Sequence, residues 1–331
     1  MKLRKLVLCM LAASTLMASA VDAKTYKIGA AVYGLKGQFM QAWVKSIKDH
    51  PAVKDGTAQI TVFDGNYDAN TQNNQIETMI TQHYDAIIFV PIDTKASVGA
   101  VRHAMAAGIP VVASNTKVAS DKVRYIGNDD IEGGRLQTAA LVKQIGSKGN
   151  VVIIEGPIGQ SAQIDREKGE MEVLAKYPGI KVIEKKTANW DRAQALNLTE
   201  DWLNAHPKQI NGIISQNDDM ALGALQALKS HGMSAKDVPI TGLDGMPDAI
   251  KAAQSGELIT FMQDAQAQAQ GALDITLAKL AGDSYKPRSV IWQRYGAQLK
   301  WADGKSASYI VPWVPVTPQN AAALYKQVTG D

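Results

Sequence analysis

The chain has 331 residues, 35 Lys and Arg against 32 Asp and Glu, 46% apolar residues and a single cysteine. That length suits two packed domains, and the near-balance of charge excludes the strongly basic face that nucleic acid or an anionic membrane surface demands. One cysteine excludes a disulfide framework.

Residues 1–23 read as a targeting segment. Lys2, Arg4 and Lys5 form a basic start, Leu6 to Met17 is apolar, and Val21-Asp-Ala23 is a small-residue cleavage site before Lys24. This is the pattern of a secretory signal peptide, too short for a membrane span. Acylation at Cys9 would leave an apolar core of only a few residues. Removal of the leader takes away three basic residues and Asp22, so that 35 against 32 becomes 32 against 31, a mature net charge of +1. It also removes Cys9, and with it any thiol nucleophile.

From Lys24 onward, strand and helix patterns alternate. The first strand is predicted at 25–32. Gly29, Gly34 and Gly37 follow or interrupt it at the wrong spacing for a dinucleotide fingerprint. A helix over 39–49 opens on Phe39-Met40; Phe39 either packs under that helix or faces a crevice beyond the strand, where a ring covers the C–H face of a sugar. Strands at 59–64, 86–91 and 110–114 alternate with helices at 70–82 and 96–107. Asp129, Asp130 and Glu132 suit the first turn of a helix over 131–146.

Strands at 150–155, 180–185, 211–215, 238–242 and 257–262 then alternate with helices at 163–176, 191–205, 219–231 and 247–254, and a helix over 264–281 follows. Gly156-Pro-Ile-Gly leads to Gln163-Ile-Asp-Arg-Glu, where Arg166 is either an ion-paired face residue or a planar fork for hydroxyl or carboxylate oxygens. Trp190-Asp-Arg192 opens the next helix from a strand's far end, where an indole is either half-buried surface or crevice wall. Asn217 and Asp244 lie at the carboxyl ends of neighbouring strands, and Asn217 is placed to cap a helix. Open parallel sheets bind ligands beyond those ends.

The five histidines (His50, His83, His103, His206, His231) are isolated and read as solvated helix ends. In 291–315, Asp303-Gly304 between aromatic and β-branched runs predicts a hairpin, and a helix returns at 318–329. Serine-hydrolase, zinc-peptidase and P-loop signatures are absent from the sequence. No metal site and no cofactor are expected.

The alternation implies an α/β fold with parallel sheets. The segments Ile214-Ser-Gln-Asn-Asp-Asp-Met-Ala-Leu-Gly-Ala224, Val238-Pro-Ile-Thr-Gly-Leu-Asp-Gly-Met-Pro-Asp248 and Gly127-Asn-Asp-Asp-Ile-Glu-Gly-Gly134 resemble periplasmic sugar-binding proteins of ABC importers, the ribose- and galactose-type receptors. The resemblance runs from Lys24 to about Ala281 and is strongest over 150–264. It implies two doubly wound parallel-sheet lobes of periplasmic binding protein type I, joined by a three-segment hinge with crossings near 127–129, 262–265 and 311–316. Residues 24–127 plus 265–311 would form the N-terminal lobe, and 128–264 plus 312–331 the C-terminal lobe.

By the same resemblance, Phe39 and Trp190 are stacking rings, and Arg166, Asn217, Asp244 and Gln263 are polar ligand contacts. Tyr33 and Asp93 lie near the entrance. Ribose-type members carry Asp-Arg where this chain has Asn115-Thr116, and a second ring where it has Met40, so a ligand other than ribose is expected. The implied function is capture of a small sugar or polyol in the periplasm by hinge closure, for a membrane ABC permease, by a monomer without enzymatic activity. A sugar-sensing subunit for a chemoreceptor or kinase, or a carbohydrate-acting enzyme on a similar frame, are the alternatives. A repressor of this core would need DNA-reading helices where the leader stands.

Overall fold

A computed structural model describes residues 24–330; the predicted leader lies outside them. The first half of the chain forms β1 (Tyr26–Val32), α1 (Gln38–Lys48), α2 (Pro51–Lys54), β2 (Ala58–Asp64), α3 (Ala69–Thr81), β3 (Ala86–Val90), α4 (Val98–Ala106), β4 (Val111–Ser114) and β5 (Arg124–Gly127). There follow α5 (Asp130–Ile145), β6 (Lys148–Glu155), α6 (Ser161–Leu174), β7 (Gly179–Thr187), α7 (Arg192–Ala205), β8 (Gly212–Ser215), α8 (Asp218–Ser230), β9 (Ile240–Asp244), α9 (Pro247–Gln254) and β10 (Ile259–Met262). The chain ends with α10 (Ala265–Ala281), α11 (Ile291–Tyr295), β11 (Ser308–Ile310), β12 (Val314–Pro315) and α12 (Ala321–Thr329).

The strands form two six-stranded sheets, in the orders β11-β5-β4-β3-β1-β2 and β12-β10-β9-β8-β6-β7. Every pairing is parallel except that of β12 with β10. The fold is therefore α/β with two doubly wound sheets, as the alternation implied.

Parallel strands buried on both faces must be apolar almost throughout, and pleating sends successive side chains to opposite sides. In β1, Ile28, Ala30 and Val32 join the core beneath α1 and α10, with Trp43 and Ile47. Ala31 points the other way, with Ile87 and Phe89 of β3, toward Ile76, Met79 and Val101 of α3 and α4. The second sheet repeats this: Val152 and Ile154 face Trp202 and Met220, while Val151 and Ile153 face Leu141 and Leu174. Each fully buried large apolar side chain contributes about 1.5–3 kcal/mol.

The chain passes between the sheets three times, at 128–129, at 263–264 and at 311–313. Side chains tie these crossings together. Asn128 donates to the Val311 carbonyl at 2.8 Å, and Gln268 donates to Asn128 at 2.7 Å and to Gln263 at 2.9 Å.

Three expectations need correction. The 291–315 segment is not a hairpin: β11 extends the first sheet beside β5 and β12 extends the second beside β10, so its two strands never pair. Asp303-Gly304 sits in a short 3-10 turn with Asp303 at φ 51° and Gly304 at φ 66°. Trp292, Trp301 and Tyr309 of this segment cluster with Tyr285, Trp292 lying 4.8 Å from Trp301 and 5.5 Å from Tyr309. His50 is not solvated but fully buried. Its Nδ1 accepts from Ala52 N–H at 3.0 Å, so Nε2 carries the proton donated to Asp274 at 3.2 Å. Asp274 also accepts from Tyr285 at 2.6 Å and from Trp292 at 2.7 Å, fastening the aromatic cluster to α10. Finally, β5 was not foreseen, because four residues of Arg-Tyr-Ile-Gly carry no readable period.

Candidate functional site

The carboxyl ends of the two sheets face each other across a cleft. A narrow space lies there, lined by Tyr33, Phe39, Asn115, Gln160, Ala162, Arg166, Trp190, Asn217, Asp244 and Gln263. Larger hollows exist elsewhere on the surface, but no aromatic ring lines them.

The first sheet contributes Tyr33 after β1, Phe39 from the first turn of α1, and Asn115 after β4. Asn115 adopts φ 63°, which turns its amide into the cleft; the amide donates to Gln263 at 3.3 Å. Met40 and Thr116 were expected beside these residues, and the structure places both outside the lining. Consecutive helical residues point about 100° apart, so with Phe39 toward the cleft Met40 enters the core, fully buried. Thr116 points away from Asn115, and its hydroxyl donates to the Pro91 carbonyl at 2.8 Å. Asp93 is also outside the lining and accepts from the backbone of Lys95 and Ala96 at 2.8 and 2.7 Å.

The second sheet supplies the charged groups. Asn217 caps α8, its Oδ1 accepting from Met220 N–H at 2.9 Å, which leaves its Nδ2 as the donor for the cleft. Asp244 closes β9 at φ 133°, an unfavourable conformation for a residue with a side chain. Its carboxylate accepts from Gln263 at 2.6 Å and lies 4.0 Å from Arg166 Nη1. Burial pushes the Asp244 carboxyl well above the ordinary carboxylate range, against the pull of Arg166.

Arg166 is 2% exposed. It donates through Nε to Asp130 at 2.8 Å and through Nη1 to the Gln216 carbonyl. The acidic start of α5 thus holds this guanidinium as well as favouring the helix N-terminus. Behind Arg166, one turn further along α6, Glu170 is fully buried. It accepts from Gln137 at 2.8 Å and from Gln216 at 3.4 Å, and burial pushes its carboxyl up to about 8.

Trp190 follows Asn189 in the loop before α7, the pair at φ 54° and 59°. A Cβ on Gly156 would lie 2.0 Å from Trp190 Cζ2, so only glycine lets the ring lie there. The Arg166 guanidinium sits 5.5 Å from the Trp190 ring centroid. Gln160 was missed in the sequence, although it lies beyond β6 as Asn217 lies beyond β8, and the same strand-end rule would have found it. Its Oε1 accepts from Trp190 Nε1 at 2.7 Å.

The cleft edges also meet. Lys117 of the first half bonds Asp165 of the second at 2.7 Å, and its backbone N–H donates to Ser161 Oγ at 2.7 Å. On the opposite edge the Gln38 backbone donates to Asp219 at 2.9 Å.

A family profile described as periplasmic binding protein domain matches residues 28–284. The chain belongs to that family. It is 37% identical to a xylitol-binding protein of Mycolicibacterium smegmatis over 270 residues, 81% of this chain and 76% of the other. It is 33% identical to a putative rhizopine-binding protein of Rhizobium meliloti over 289 residues, 85% of this chain and 92% of the other. Among solved structures, an ABC transporter solute-binding protein of Bacillus halodurans with bound myo-inositol superposes with a TM-score of 0.79 at 28% identity, covering 93% of this chain and 99% of that one. The family consists of binding proteins.

Proposed function

We propose that this member of the family captures one small sugar or polyol between its lobes and hands it to an ABC permease. The observation that carries the reading is the lining of the cleft. Phe39 and Trp190 reach it from opposite sheets, and Arg166, Asn217, Asp244, Gln263 and Asn115 supply donors and acceptors between them. Rings cover C–H faces, while buried polar groups demand hydroxyl partners and penalise any ligand that leaves them unpaired.

The relatives named for xylitol and rhizopine binding, and the neighbour holding myo-inositol, support a polyol. We read the protein as a periplasmic monomer, exported by its leader, in which residues 24–127 with 265–311 form one lobe and 128–264 with 312–331 the other. The site is a binder's rather than an enzyme's, because its one lining carboxyl, Asp244, is committed to Gln263 and neighbours Arg166. A thermal-shift screen of residues 24–331 against pentoses, hexoses, cyclitols and linear polyols tests this. A hundredfold excess over Kd stabilises the folded state by about 2.7 kcal/mol. No shift with any member would overturn the reading.

A further inference from the structure

Gln160 joins the two sides of the cleft through one amide. It precedes α6 in the second half and is 1% exposed. Its Oε1 accepts from Trp190 Nε1 at 2.7 Å, and its Nε2 donates across the cleft to the Pro91 carbonyl, just beyond β3, at 3.0 Å. An indole N–H can only donate and a carbonyl can only accept, so this orientation of the amide is the one that satisfies both neighbours. The Pro91 carbonyl also receives Thr116 Oγ1 at 2.8 Å. Its two lone pairs are thus both used, one from within its own half and one from across the cleft. The loop carrying Gln160 is otherwise fastened over the first half by Thr94 N–H to the Gly159 carbonyl at 3.1 Å and by Lys117 N–H to Ser161 Oγ at 2.7 Å.

Trp190 needs an external lock. Its backbone is left-handed at φ 59° after another left-handed residue, Asn189. Such positions persist only where the surroundings over-determine them.

We propose that Gln160 is a positioning residue that couples the Trp190 ring to cleft closure. When the lobes meet, Pro91 fixes the Gln160 amide, and the amide fixes the indole against the ligand. When they part, Nε2 loses Pro91, and the indole is held by a side chain that is itself free to rotate. Ring clamping and closure therefore occur together, and ligand escape must break both bonds. The affinity part of this proposal rests on the ligand reading above; the coupling itself does not.

The test separates the two. Residues 24–331, labelled with 5-fluorotryptophan, contain six tryptophans, and the Trp190 fluorine resonance is assigned by its loss in Trp190→Phe. Lys117→Cys and Asp165→Cys, joined by a short bis-maleimide, hold the lobes together without ligand in a mature chain that has no other cysteine. In the cross-linked protein the Trp190 line should be single and narrow with Gln160 present, and shifted or broadened in Gln160→Leu. Identical lines would overturn the proposal.

The second arm uses whichever of xylitol, myo-inositol and ribose the wild type binds most tightly. Gln160→Leu should accelerate dissociation by about ten- to a hundredfold, the loss of one to two buried hydrogen bonds, with association changed by less than about threefold. Gln160→Glu keeps an acceptor for the indole but sets a carboxylate against the Pro91 carbonyl, and should behave like Gln160→Leu. Unchanged dissociation in both variants would also overturn the proposal. If the wild type binds none of the three solutes, the ligand reading is what fails, and the fluorine experiment alone decides the coupling.

Discussion

Glu170 gives a sharp stability prediction. It is fully buried behind Arg166, has no cation bonded to it, and burial pushes its carboxyl from the ordinary 4.5 to about 8. Between those two pH values the folded chain keeps a proton at Glu170 that the unfolded chain has released. Stability therefore falls as pH rises through the window, and the loss is complete above about pH 8. At 1.36 kcal/mol per pH unit, the interval corresponds to about 3–5 kcal/mol. Glu170→Gln removes the titration. Its Oε1 still accepts from Gln137, but its amide nitrogen meets the Gln216 amide nitrogen, at a cost of about 1 kcal/mol. The variant should thus be equal to or slightly less stable than wild type at pH 5, and about 2–4 kcal/mol more stable at pH 8.5. Urea denaturation of both proteins across this range measures the difference, and titrations common to both cancel. Parallel stability profiles would refute the assignment of a buried, protonated Glu170.

The site itself yields three further expectations. Asp244→Ala should weaken binding by about 1.5–3 kcal/mol, the range for hydrogen bonds to a charged group; calorimetry showing unchanged affinity in a folded variant would remove Asp244 from the ligand's contacts. Ligand should change tryptophan fluorescence, and Trp190→Phe should abolish most of the change; full persistence would point to another indole, such as Trp43 or Trp202. Ribose should bind at least about tenfold more weakly than the tightest of xylitol, myo-inositol and apiose. The reason is that Asn115 brings an uncharged amide where ribose-type receptors carry a charged pair, and each unpaired buried group costs about 1–3 kcal/mol. Ribose emerging as the tightest ligand of that panel would contradict this.

Much of the architecture was legible because parallel strands and their helices write long, distinct periods. Asn217 and Asp244 could be placed from sequence because each ends an apolar run just before a helix signal. Met40 and Thr116 show the limit of that method. Each adjoins a residue that lines the cleft, but adjacency in sequence says nothing about direction once the backbone fixes it: Met40 turns into the core and Thr116 toward Pro91. His50 read as an isolated helix end because its partner, Asp274, lies more than 200 residues away. The aromatic segment failed for a related reason. Its two short strands pair with β5 and β10, and no local pattern tells a hairpin from two separate edge additions. Gln160 carries no local signal beyond its place after β6, since its significance lies in bonds to Trp190 and Pro91, one from each half of the chain.

The proposed function requires that the cleft between Phe39 and Trp190 hold one small polyhydroxylated solute. Isothermal titration of residues 24–331 with xylitol, myo-inositol, apiose and ribose tests it most directly. At least one of them should bind one-to-one, with a negative heat-capacity change from burial of the ligand's apolar faces, and that heat should be lost in a Trp190→Ala, Asp244→Ala double variant. A folded wild-type protein that gives no binding heat with any of them, or a double variant that binds as the wild type does, would contradict it.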